Sequence, residues 1–146
     1  MPQTARASVL DTLRRQPVAS DYSATAMTLV MAIRLIARCA ACQRDPLVEL
    51  SCRLESLTGA KAALDFAKAC SLAWPEKAMV GRPCCHGLTP DESVFAGMAE
   101  AARAADSEAF SGLLDGLIRR ERHDRLFTET QHAVAILAAT PRGLRR

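Results

Sequence analysis

The chain has 146 residues, 49% of them apolar, and a formal net charge of +3. That length holds one core and argues against a second, and a dedicated nucleic-acid binder concentrates more positive charge on one face than so mild an excess allows. Much of the apolar share is alanine and leucine, strong helix formers, and only 4% of the chain is aromatic, so an all-α fold of closely packed helices is expected rather than a sheet.

Residues 1–22 read as a flexible N-terminal arm. Val9, Leu10 and Leu13 give one amphipathic turn at most before Pro17 stops it. Arg6, Arg14 and Arg15 precede no unbroken apolar stretch, so the segment does not look like a secretory signal. Arg34 and Arg38 interrupt the most apolar stretch, 24–37, short of the about 18–20 uncharged residues a membrane span needs. A cytoplasmic protein without membrane contact is therefore expected. Its six cysteines would then be reduced thiols or metal ligands in preference to disulfides.

The folded domain is expected over residues 23–140. Its first helix, 23–43, places Leu29, Ile33, Ile36 and Ala40 on one stripe and Arg34 and Arg38 on another face. Asp45-Pro46 starts the next helix, Asp as cap and Pro at the first helical position. Leu47, Leu50, Leu54 and Leu57 form its buried stripe, and Thr58-Gly59 ends or bends it. A third helix, 60–73, turns Ala63, Leu64, Ala67 and Cys70 inward, with Cys52 and Cys70 as core thiols.

Residues 74–90 form the one long irregular segment, with Ala78-Met79-Val80 as its only extended-looking piece. Thr89-Pro90-Asp91-Glu92 then matches a capping box, Glu92 reaching back to Thr89, and opens a helix on Val94, Phe95, Met98 and Ala102. Asp106 caps the next, with Phe110, Leu113, Leu114, Leu117 and Ile118 facing in and Arg119, Arg120 and Arg122 at its cationic end. A last helix, 124–139, carries Leu126, Val134 and Leu137, and residues 141–146 are a basic tail. Short connections among five to six amphipathic helices predict a compact bundle with one long cysteine-containing loop.

Chemistry concentrates in the thiols. Cys39 and Cys42 lie three apart on a helix, while Cys84, Cys85 and His86 sit together in the loop. Thiolates and imidazole are ligands zinc prefers, so these five residues are the candidate metal site, with zinc as the candidate ion. Against it, adjacent cysteines rarely both bind one tetrahedral ion, and only one C-x2-C pair is present. A thiol switch between the two groups is a second reading. A packed plug, with Met79, Val80 and Leu88 around inert thiols, is a third and is preferred. His123 and His132 belong to no motif and are expected at the surface or in caps. No G-x-S-x-G, Walker loop, Rossmann fingerprint or H-E-x-x-H occurs, so no catalytic residue is assigned. Arg119, Arg120, Arg122 and Arg125 cluster, but Glu121, Asp124 and Glu129 interleave with them, which favours a solvated junction over a phosphate contact.

The run Asp45-Pro46-Leu47-Val48 and its leucine stripe, then Arg82-Pro83-Cys84-Cys85 and Leu88-Thr89-Pro90-Asp91-Glu92, resembles an uncharacterised family of small helical proteins of alpha-proteobacteria, the sphingomonads especially. The likeness covers residues 29–118. It departs from the family at Asp45, where a basic residue is expected, and at the Cys39/Cys42 pair. The resemblance implies a helical architecture in a bacterial protein, points to Cys84 and Cys85, and implies no reaction.

A small helical protein-binding or regulatory module follows as the leading expectation, acting through a protein partner or as a homo-oligomer. The alternative is a metal- or thiol-dependent sensor centred on the Cys-Cys-His loop, and the weakest is a nucleic-acid contact through the arginine cluster.

Overall fold

Helices begin where the chain supplies a side-chain oxygen for the free amides of a first turn. The computed structural model describes residues 16–140; the Val9/Leu10/Leu13 turn and the basic tail lie outside them. Ser23 caps α1 (Ala24–Ala41), Asp45 caps α2 (Pro46–Leu54) and Ser56 caps α3 (Leu57–Ala73). Thr89 caps α4 (Pro90–Arg103) and Asp106 caps α5 (Ser107–Leu114), while α6 (His123–Ala139) follows a short 3-10 turn at Arg120–Arg122 without a side-chain cap. The fold is 71% helical, and among the described residues extended pairing is confined to one antiparallel bridge between Val18 and Gly87. The all-α bundle expected from composition is the fold observed.

Helix α1 lies at the centre, packed on α4, α2, α6 and α3, and α3 runs along α6. Small side chains let these axes approach: Ala60, Ala62 and Ala63 of α3 and Ala96, Ala99, Ala101 and Ala102 of α4 are all buried. Larger groups fill what remains. Phe66 meets Phe95 edge-on at 6.3 Å, Trp74 lies tilted against Phe95 at 4.8 Å, and Phe110 meets Phe127 at 5.1 Å. By length and composition α1 would pass as a membrane span, but half of that window is buried within the bundle.

Two element boundaries differ from expectation. The second helix stops at Leu54, because Glu55 takes a left-handed conformation at φ 52° and Ser56 restarts the chain by accepting from the Gly59 amide. Leu50 and Leu54 are therefore fully buried while Leu57, beyond the break, is 53% exposed. Helix α5 likewise ends early, at Leu114, and Gly116 at φ 80° turns the chain so that Ile118 is buried and Leu113 is exposed.

Residues 16–22, at the end of the expected arm, run alongside the long loop. Gln16 donates its side-chain amide to the Leu88 carbonyl at 3.1 Å, and the Leu88 amide donates to the Pro17 carbonyl at 2.9 Å. A Cβ on Gly87 would come within 2.6 Å of the end of the exposed Gln16 side chain, which would have to shift.

Candidate functional site

The loop between α3 and α4 is organised from beneath by a charged side chain expected on a different face of α1 from its apolar stripe. Arg34 is instead 1% exposed. It stands four residues after the fully buried Val30, so one helical turn puts both on the same inward stripe. Its Nε donates to Glu92 Oε2 at 2.6 Å and its Nη2 to Glu92 Oε1 at 3.0 Å, a two-pronged ion pair with both partners out of water. The remaining donors reach the loop backbone, Nη1 to the Cys85 carbonyl at 2.8 Å and Nη2 to the Gly87 carbonyl at 2.9 Å, and the Met31 sulfur lies 3.9 Å from Nη1. All five N–H groups of the guanidinium are thereby used.

Glu92 performs the capping expected of it and more. Oε1 accepts from the Thr89 amide at 2.9 Å, and Oε2 accepts from the Gly81 amide at 3.2 Å. Burial pushes this carboxyl up, but the Arg34 hydrogen bond and the Thr89 and Gly81 amides outweigh it and hold the group below the usual range. The hydrogen bond to Glu92 is also the main cause that raises Arg34, against the opposing effect of burial. Asp91 ties down the other half of the loop, accepting from the Trp74 indole at 3.2 Å and from the Met79 amide at 2.7 Å, and the Thr89 hydroxyl donates to the Met79 carbonyl at 2.6 Å. The first turn of α4 thus fixes residues 74–81 by side chains and Arg34 fixes residues 85–87 from below.

Two adjoining clefts open where the loop crosses α1. One, of about 520 Å³, is lined by Ala37, Arg38, Val80, Arg82 and Cys84 among others. The second, of about 480 Å³, has walls that include Ile33, Ile36, Trp74, Ala78, Val80 and Phe95. Ala37 and Val80 belong to both, so the clefts meet across these two side chains.

The five candidate ligands do not converge. Cys39 is buried and donates to Glu49 at 3.3 Å, and burial, followed by that hydrogen bond, pushes its thiol up. Cys42 is exposed at the end of α1, and Cys84, Cys85 and His86 are exposed in the loop. Among the described residues no three His, Cys, Asp or Glu side chains are grouped to hold a metal ion. The thiols of Cys84 and Cys85 are not packed as a plug either, since the Cys85 and Gly87 carbonyls are drawn inward to Arg34 while both side chains remain outside.

Cys70 is buried, and its thiol is strongly raised by that burial. Cys52 is exposed instead, because it lies two residues from both Leu50 and Leu54, on the opposite side of a helix that turns about 100° per residue. His132 is exposed as expected, whereas His123 is 3% exposed. Its Nε2 lies 2.9 Å from the Ile118 carbonyl, which can only accept, so that nitrogen carries the proton.

Arg119, Arg120, Arg122 and Arg125 are all exposed, and Arg122 donates to the Leu72 carbonyl at the end of α3 at 2.9 Å. One guanidinium of the cluster is therefore part of a helix terminus, satisfying a carbonyl the helix leaves open. Arg34 is the residue that sequence reasoning missed. Its signal was the Val30 spacing on a helix whose only ionisable side chains besides cysteine are Arg34 and Arg38.

No protein-family model, curated protein or solved structure matches the chain.

Proposed function

We propose that the protein is a small helical binding module whose recognition surface is the loop 75–89 with the clefts beneath it. The observation that carries this reading is that an irregular segment is held in one conformation by groups from two helices, Arg34 from α1 and Asp91 and Glu92 from α4. A loop ordered before its ligand arrives loses little conformational freedom on binding. Clefts of about 300–1,000 Å³ are the common size of small-molecule sites, which favours a small ligand over a flat protein contact. Catalysis by the buried pair is disfavoured, because both oxygens of Glu92 already accept two hydrogen bonds each and no donor of Arg34 is left over. Chemical-shift mapping with a mixed set of small fragments tests the reading. Shifts are expected to cluster on Ala37, Arg38, Trp74 and residues 78–84. Fragments that perturb only residues away from the loop and α1 would overturn it.

The exposure of Cys84 beside Arg38 and Arg82 supports a second reading, a reactive thiol on the cleft rim. Cys52 is exposed outside both clefts and serves as an internal reference. Two guanidiniums favour an approaching anion. Iodoacetate should therefore be preferred over iodoacetamide more strongly at Cys84 than at Cys52, read by peptide mass mapping. Equal preference at both sites would remove this reading.

A further inference from the structure

We infer that the joined clefts take a monomeric anionic amphiphile, an unbranched apolar chain ending in a carboxylate; this rests on the binding-module reading above. Three features of the two clefts specify the ligand. The first is polarity along the groove. The cleft toward Trp74 is walled by Ile33, Ile36, Ala78, Val80 and Phe95, whereas the cleft toward Cys84 carries Arg38 and Arg82. The second is that this positive charge is free. Arg34, in the wall of the cleft toward Cys84, is neutralised by Glu92, while Arg38 and Arg82 are exposed and form no salt bridge with any acid among the described residues. At the apolar end the lining holds one charge of each sign, Glu76 and Lys77, so its net charge is zero and the excess positive charge lies at the other end of the groove. The third is continuity. The boundary between the clefts is formed by Val80 and by Ala37, an exposed residue with a side chain of one carbon that leaves the passage low. An apolar chain lying along Trp74 and Ile36 would cross that saddle and bring its carboxylate between the two guanidiniums, where charge-assisted hydrogen bonds fix it.

Trp74 is the only tryptophan of the chain and walls the apolar cleft, so the protein carries its own reporter. The test is a tryptophan fluorescence titration with decanoate, decanol and decyltrimethylammonium, each kept below its aggregation range. Decanoate is expected to give a saturable change, and the cationic amphiphile to bind about tenfold more weakly or worse. Replacing both surface arginines (Arg38→Gln with Arg82→Gln) should weaken decanoate about tenfold while leaving decanol unchanged. Ala37→Phe, at an exposed helical position where folding is not at stake, should abolish the decanoate response by closing the saddle.

Equal binding of all three amphiphiles would overturn the assignment of an anion and leave the binding module standing. A chain-length-independent response, with acetate matching decanoate, would overturn the apolar half. Absence of any amphiphile response while fragments still map to the cleft would overturn the ligand class alone, and absence of both would overturn the module itself. Co-sedimentation with phosphatidylglycerol vesicles but no response to monomeric decanoate would place the site at a membrane surface and overturn the proposal of a free ligand.

Discussion

A guanidinium removed from water is tolerable only when every donor finds an acceptor, and Arg34 meets that condition through Glu92, two loop carbonyls and a thioether. Removing one partner of such a pair leaves the other charged, buried and unpaired, at a cost of about 3–5 kcal/mol, whereas replacing both by apolar groups of similar volume costs much less. Glu92→Gln should therefore lower the unfolding free energy by that amount in denaturant titrations, but Arg34→Met with Glu92→Leu should not restore it, because the Thr89 and Gly81 amides and the Cys85 and Gly87 carbonyls lose their partners. The pair also gives stability a pH dependence of known sign. The folded carboxyl is held below its unfolded value of about 4.3, so its contribution is complete above that pH and is lost as pH falls through the folded value. Arg34 is raised, so its contribution is undiminished throughout the acid and neutral range. Wild-type stability should drop steeply below about pH 4, and the Glu92→Gln variant should lack that component of the slope.

Elements begin and end here by local chemistry, but which side of each is buried depends on where the breaks fall. The left-handed Glu55 separates Leu54, fully buried, from Leu57, more than half exposed, although the leucine spacing treats them alike. Leu54→Ala should cost roughly 2–5 kcal/mol, as for other buried leucines. Leu57→Ala should stay within about 0.5 kcal/mol, as surface changes do. Thermal unfolding followed by circular dichroism separates the two outcomes, and an equal cost at both sites would mean the helix runs on unbroken.

Over the whole molecule, charge is spread rather than focused. The arginine junction at 119–125 is exposed, is interleaved with Glu121 and Asp124, and lends Arg122 to the end of α3. Duplex DNA is expected to bind weakly, with affinity falling steeply as salt rises and no sequence preference, in fluorescence anisotropy. Sub-micromolar, sequence-selective binding that disappears with Arg119→Gln and Arg120→Gln would contradict this. The positive charge with a defined place is at the loop cleft, where Arg38 and Arg82 line the wall.

Class, capping and most element starts were decided within the sequence, because they rest on neighbours in the chain. Asp45, Thr89 and Asp106 cap the helices their positions imply, and the Thr89–Glu92 capping box forms as written. Leu50, Leu54, Phe95, Met98, Phe110 and Leu114 are core, as helical spacing requires. The boundary at Glu55 was not legible, since no single residue type announces a left-handed break there. Nor was the burial of Arg34, because the acceptors that make it acceptable lie on a loop and a helix more than fifty residues away. The loop cysteines were legible as a cluster but not as an exposed one. Their exposure follows from which backbone carbonyls Arg34 draws inward, and only the packing of α1 against α4 brings that guanidinium beneath the loop.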